Sequence, residues 1–157
     1  MVAEKNISII KIWQILETVC DPEVPVLSIL DLGIVRDVKI NNEEVEIIIT
    51  PTYSGCPAMD MIAMNIRLAL LENRYNKIKI TSVLAPAWTT DWMSEAGKQK
   101  LKAYGIAPPT TWSDHVVECP QCHSTNTKLI SEFGSTACKS LYQCNDCKEP
   151  FDYFKCH

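Results

Sequence analysis

Long apolar runs are missing from this sequence: no stretch of its 157 residues approaches the roughly 20 that a membrane-spanning helix needs. The opening residues MVAEKNISIIKIW lack a signal peptide's apolar core and small-residue cleavage site, and lead instead into an amphipathic helix. Both absences point away from membranes, and the cytoplasm is the expected compartment. Basic clustering is also absent. The formal charge is −4 and the Lys and Arg residues are distributed, so a phosphate backbone gains no broad electrostatic attraction and nucleic acid is excluded as an expected partner. With five glycines the chain has no Gly-rich phosphate cradle, no serine-elbow signature, and no histidine near the isolated Cys56 to build a Cys-His pair. Conventional hydrolytic and nucleotide chemistry is poorly supported.

What the chain does have is cysteine, in two separate settings. Cys56 stands alone in TPTYSGCPAMD, whereas six of the other seven cysteines crowd into residues 119 to 156. In a reducing compartment eight cysteines read as thiols and metal ligands rather than as disulfides. The length suits one moderate α/β domain with a small appendage, not two full hydrophobic cores.

The pattern of apolar residues predicts a helix over 9–19, capped by Ser8 and stopped at Asp21-Pro22. A turn-rich segment, DPEVPVLSILDLG, leads into a strand at Ile34–Ile40, a turn at Asn41-Asn42 and a second strand at Val45–Thr50, an antiparallel hairpin. The helix after Pro57 runs to about Arg74 and is apolar on nearly every side, which predicts heavy burial. IKITSVL over 78–84 reads as a third strand, and a last helix runs from about Asp91 to Tyr104 with Gly105 as its terminal glycine. The expected architecture is α+β: a mixed sheet packed by helices over 1–107, a Pro-containing linker over 108–115, and a metal-held ribbon over 116–157.

Cys56 falls where a strand turns into a helix. Pro57 suits the first helical position, which puts Cys56 at or beside the N-cap, near unpaired backbone N–H groups and the positive end of the helix dipole. That setting favours a thiolate, while Asp60 one turn in opposes it. Gly55 implies either a close backbone approach or positive φ, and Thr50, Thr52, Tyr53 and Ser54 offer hydroxyls to a ligand. The alternative is a cysteine that merely packs in the turn. Asp21 and Glu23, just past the first helix, could bind a hard cation, orient a thiol, or cap backbone amides. Asp31 and Gly33 shape the entry to the first strand.

The tail carries a more specific signal. Cys119-Pro-Gln-Cys122 and Cys144-Asn-Asp-Cys147, with 21 residues between the pairs, match the two knuckles of a zinc ribbon, four soft thiolates in a tetrahedron. The intervening LISEFGSTACKSLYQ has strand-like ends around a Gly/Ser/Thr turn. A closed four-thiolate site leaves no vacancy for Cys138, Cys156, His123 or His157. Cys138 and Cys156 either pack or form a second ligand set, and Phe151, Tyr153 and Phe154 give the ribbon an apolar surface to pack against the main domain or a partner.

DPEVPVLSILDLGIVRDVKI followed by TPTYSGCPAMD resembles the SufT-like family of iron-sulfur assembly proteins. With SEFGSTACKSLYQCNDCKEPFDYFKCH the resemblance extends over nearly the whole chain to the PaaD group, accessory proteins of the bacterial phenylacetyl-CoA ring-epoxidase system that add a zinc ribbon to the SufT-like domain. The resemblance implies a maturation factor rather than an enzyme. Its cargo would be a transient iron-sulfur cluster or iron, and its client the iron-sulfur reductase component of the epoxidase, with other epoxidase subunits and a second copy of the chain as further partners. It maps function to Cys56 with Asp21, Glu23, Thr50 and Thr52 lining the same region, and zinc to Cys119, Cys122, Cys144 and Cys147. The competing expectation is a structural adaptor that uses both domains as docking surfaces.

Overall fold

The computed structural model describes residues 8–110 and 116–155, in two compact units, 1–88 and 89–157. In the first unit, helix α1 (Ile9–Glu17) is followed by strands β1 (Val35–Asn41) and β2 (Glu44–Ile49), helix α2 (Ala58–Glu72) and strand β3 (Lys77–Ser82). The sheet order is β1-β2-β3, antiparallel between β1 and β2 and parallel between β2 and β3. The expected hairpin is present, its turn one residue later at Asn42-Glu43, where Asn42 takes a φ of 57°. A parallel pair needs a crossover, and α2 supplies it. The mixed α+β sheet expected from sequence is therefore what forms.

Burial follows local periodicity. Val45, Ile47 and Ile49 alternate inward along β2, and Ile12, Ile15 and Leu16 are the buried side of α1. Ser8 holds the cap position of α1 without a side-chain cap bond, and the helix ends at Glu17, two residues short of the expected stop. The expectation of an all-round buried α2 is corrected. Only Ala58, Ile62, Ile66 and Leu70, an i, i+4 stripe, are buried, while Met61, Met64, Leu68 and Leu71 are exposed. Apolar composition alone cannot say how many faces of a helix find a neighbour, and one three-stranded sheet covers one face.

The segment between α1 and β1 is closed by its own hydrogen bonds. Asp21 Oδ1 accepts from the amides of Glu23 (2.6 Å) and Val24 (3.1 Å), and Ser28 and Asp31 cap each other's amides at 3.1 and 3.0 Å. The amide of Ile29 donates to Val19 O and that of Thr50 to Ile34 O, which ties this segment to the carboxyl end of β2. Trp88, buried at the end of the unit, donates its indole N–H to Leu32 O at 2.7 Å.

In the second unit a 3₁₀ turn (Thr90–Trp92) precedes helix α3 (Glu95–Tyr104), and strands β4 (Ile106–Ala107), β5 (Thr127–Ser131), β6 (Lys139–Cys144) and β7 (Pro150–Phe154) form a sheet in the order β4-β7-β6-β5. The single helix expected over 91–104 is interrupted at Met93-Ser94 because two hydroxyls start separate elements: Thr89 accepts from Asp91 N and Ser94 from Gly97 N. Gly105 ends α3 in the left-handed conformation (φ 90°), as its position implies. The division between units falls after Trp88, earlier than the expected change at 107/108, since β4 hydrogen-bonds to β7 and α3 leads directly into it. Part of the expected linker, 111–115, lies outside the described residues.

Candidate functional site

The ribbon's four knuckle cysteines come from two turns of like construction. In the first, the amide of His123 donates to Cys119 O and that of Cys119 to Ser124 O, with His123 left-handed at φ 63°. In the second, the amide of Cys144 donates to Glu149 O, with Lys148 left-handed at φ 69°. Each turn carries its positive-φ residue just after its second cysteine. Asp146 braces one turn against the other through Ser124 Oγ and Asn126 Nδ2, and these bonds hold its carboxyl below the ordinary range.

All four sulfurs lie within 4.8 Å of one another, with Cys119 to Cys147 at 3.7 Å and Cys122 to Cys144 at 3.5 Å. A tetrahedron of thiolates at a Zn–S distance of about 2.3 Å has edges of about 3.8 Å, so the residues present fit such an ion. The thiols differ in acidity. The backbone N–H of Cys147 is the main cause that brings Cys144 down to about 7. The backbone N–H of Glu149 favours the Cys147 thiolate, but burial and the neighbouring thiols outweigh it and push Cys147 up to about 12. Four thiolates in so small a volume need a cation to coexist. Among the described residues this is the group of His, Cys, Asp and Glu side chains drawn together closely enough to hold a metal ion.

Two of the residues left over by the ribbon, His123 and Cys138, are among the described ones. His123 is exposed and pairs through Nδ1 with Glu118 Oε1 at 2.9 Å, outside the thiol cluster. Cys138 is buried, 3.0 Å from Thr136 Oγ1, and is not part of the cluster. Cys156 and His157 lie outside the described residues. The aromatic run does not form an open docking surface. Phe151 and Phe154 are buried, and Tyr142 stacks on Phe151 and meets Tyr153 edge-on at 6.0 and 5.5 Å in the ribbon's own core. Exposed apolar residues of the ribbon include Leu129, Ile130 and Phe133, on and beside the edge strand β5.

Cys56 sits at the carboxyl end of β2, in the turn that begins the β2-α2-β3 crossover, the end of a parallel pair where ligands are commonly taken. Its carbonyl accepts from Met59 N, and Pro57 already has helical angles (φ −68°, ψ −21°), so Cys56 adjoins the first turn of α2 as its spacing predicts. Gly55 has φ 78° with nothing within 4 Å of a built Cβ, so the turn requires its backbone conformation rather than a close approach. Cys56 is half-buried.

Thr50 adds an observation no sequence signal announces. It is 1% exposed, and its Oγ1 has no hydrogen-bond partner. A buried hydroxyl without a partner is costly and rare. Thr52 is half-buried in the same turn. Asp21, by contrast, spends one carboxylate oxygen on its own loop's amides, the capping role. Asp21 and Glu23 are not drawn with Cys56 into a ligand-grade cluster.

Comparison with known proteins accords with this two-part architecture. Residues 10–75 match the model described as "Iron-sulfur cluster assembly protein", and residues 107–155 match the "PaaD zinc beta ribbon domain". The chain is 51% identical over 151 residues to an Escherichia coli protein named as a putative component of 1,2-phenylacetyl-CoA epoxidase, covering 93% of this chain and 92% of that one. It is 35% identical over 92 residues to an "Fe-S protein maturation auxiliary factor" of Porphyromonas gingivalis, covering 57% of this chain and 87% of the relative. Among solved structures, a domain of unknown function from Bacillus anthracis matches with a TM-score of 0.54 at 34% identity, over 58% of this chain and 88% of that one. A conserved hypothetical protein of Thermotoga maritima matches with a TM-score of 0.52 at 26% identity, over 60% and 94%. With half its residues shared across nearly the full length of the Escherichia coli relative, and with an assembly-type domain followed by the ribbon that bears the family's name, the chain belongs to the PaaD family.

Proposed function

We propose that the protein is a non-catalytic maturation factor of the phenylacetyl-CoA ring-epoxidase system in phenylacetate degradation, handling an iron-sulfur cluster or iron destined for the system's iron-sulfur reductase component. The observation that carries this is the loop from β2 to α2, which holds a buried, unpartnered hydroxyl, Thr50, at its start and a helix-adjoining thiol, Cys56, at its end. The names of the relatives give the chemistry its direction. Cys56 is the ligand to the cargo, and Thr50 and Thr52 border its seat. Asp21 and Glu23 shape the neighbouring loop and bring negative charge toward an iron cargo. One thiol cannot hold a whole cluster, so the client, a second copy of the chain or a small thiol completes the coordination.

In the ribbon, Cys119, Cys122, Cys144 and Cys147 hold zinc, which supplies the cross-link that the small apolar cluster of Ala107, Val117 and Phe151 does not. This zinc is structural: four thiolates close its coordination. The ribbon presents the client-binding surface. Anaerobic reconstitution of the apo-reductase in the presence of wild type or Cys56→Ser tests the assignment. Faster or more complete cluster acquisition with wild type alone is expected, and equal stimulation by the variant removes Cys56 from the mechanism.

A second reading, a structural adaptor, draws on the exposed edge strand β5 with Leu129, Ile130 and Phe133. It predicts that Phe133→Ser weakens assembly with epoxidase components while Cys56→Ser leaves epoxidase function intact.

A further inference from the structure

The exposed side of α2 has an order that chance exposure does not require. Met61, Met64, Leu68 and Leu71 are 49, 58, 51 and 42% exposed. Their spacing of three, four and three residues is that of the apolar seam of a coiled coil. At roughly 100° per residue this seam lies about 160° around the helix from the buried stripe of Ala58, Ile62, Ile66 and Leu70. The helix therefore carries two apolar faces, one satisfied by its own unit and one that meets solvent.

We propose that this second face is a homodimer seam, pairing α2 with α2 of another copy in parallel orientation. The charges beside the seam select both the partner and the direction. Counting Met61 and Leu68 as the first apolar positions of successive heptads, Asp60 and Arg67 flank one side, and Asn65 and Glu72 flank the other. Parallel pairing sets Arg67 of each copy against Glu72 of the other, two attractive pairs, and Asp60 against the neutral Asn65. Antiparallel pairing about the seam's midpoint sets Arg67 against itself. Arg67 and Glu72 are exposed on α2, and Arg67 also donates to Ile78 O at 3.1 Å. A seam of two heptads is short, so the dimer is weak and concentration-dependent. Parallel pairing also brings the two Cys56 turns to the same end of the helix pair.

Sedimentation velocity of the full chain, under reducing conditions and across a concentration series, tests the proposal. Wild type is expected to shift from monomer toward dimer with concentration, and Leu68→Glu, which sets like charges face to face in the seam, to remain monomeric with unchanged circular dichroism and metal content. Arg67→Glu is expected to weaken the dimer about tenfold. Adding Glu72→Arg to that variant restores it to within about twofold; since the double variant still lacks the Ile78 contact, recovery isolates the cross-helix pair. A wild type that is monomeric throughout, a dimer indifferent to Leu68→Glu, or a double variant as weak as the single would each overturn the parallel seam.

Discussion

Thr50 concentrates the account in one side chain. Its hydroxyl is buried without a partner, so Thr50→Val is expected to stabilise the cargo-free protein by about 1 kcal/mol, raising the Tm of the first unit by about 4–8 °C, while reducing iron retention. Thermal melts of both proteins, with iron content measured alongside, check this; a destabilised variant would mean that the hydroxyl is satisfied. The position of Cys56 beside a helix start was legible from sequence because Gly-Cys-Pro at a strand-to-helix turn is a local signal. The isolation of Thr50 was not, since a missing hydrogen bond depends on what every other chain segment does. Asp21 was legible only as a choice between roles, and its bonds to the Glu23 and Val24 amides show the capping one. The left-handed His123 and Lys148 were hidden because neither is the glycine that usually announces positive φ.

Among the elements, α2 separates what periodicity can tell from what it cannot. Both apolar stripes are present in the sequence, but the neighbours α2 finds, α1 and the sheet, decide which is buried. Ile66→Ala is therefore expected to cost about 2–5 kcal/mol, whereas Leu68→Ala, on the exposed seam, stays within about 0.5 kcal/mol when measured at monomer concentrations. Chemical denaturation of the two variants distinguishes the faces; equal losses would contradict the assignment. The hairpin and the helix-ending Gly105 were readable because turn and cap chemistry is local, while the parallel partnership of β2 with β3 required the crossover to be seen. That partnership carries a pH signature. Glu46 accepts from Thr81 Oγ1 at 2.6 Å and lies 3.5 Å from Lys79, and these partners lower its carboxyl from the ordinary value. A carboxyl lowered on folding contributes stability above its unfolded value, and that contribution is lost as pH falls through the folded one. The stability difference between wild type and Glu46→Gln is expected to vanish in acid; a difference that persists there would contradict the linkage.

At the scale of the whole molecule, two units stabilise themselves by different means. The first buries an apolar core between helices and sheet, and the second gathers a few apolar side chains around four thiols. Chelation is accordingly expected to melt the ribbon's β structure and leave the first unit's cooperative transition in place, which circular dichroism and calorimetry on the full chain can separate. The CxxC spacing made the ribbon legible at a glance. The division after Trp88 was not, because it depends on β4 joining the ribbon's sheet by pairing with β7, more than 40 residues further along the chain (Ile106 with Asp152). The proposed function requires the two cysteine settings to do separate work, zinc for structure and Cys56 for cargo. Anaerobic purification of wild type and Cys56→Ser, with zinc, iron and acid-labile sulfide quantified together, tests it most directly. About one zinc per chain in both proteins, the occupancy of one four-thiolate site, with iron and sulfide in wild type alone, is the predicted result; equal iron and sulfide in both would contradict it.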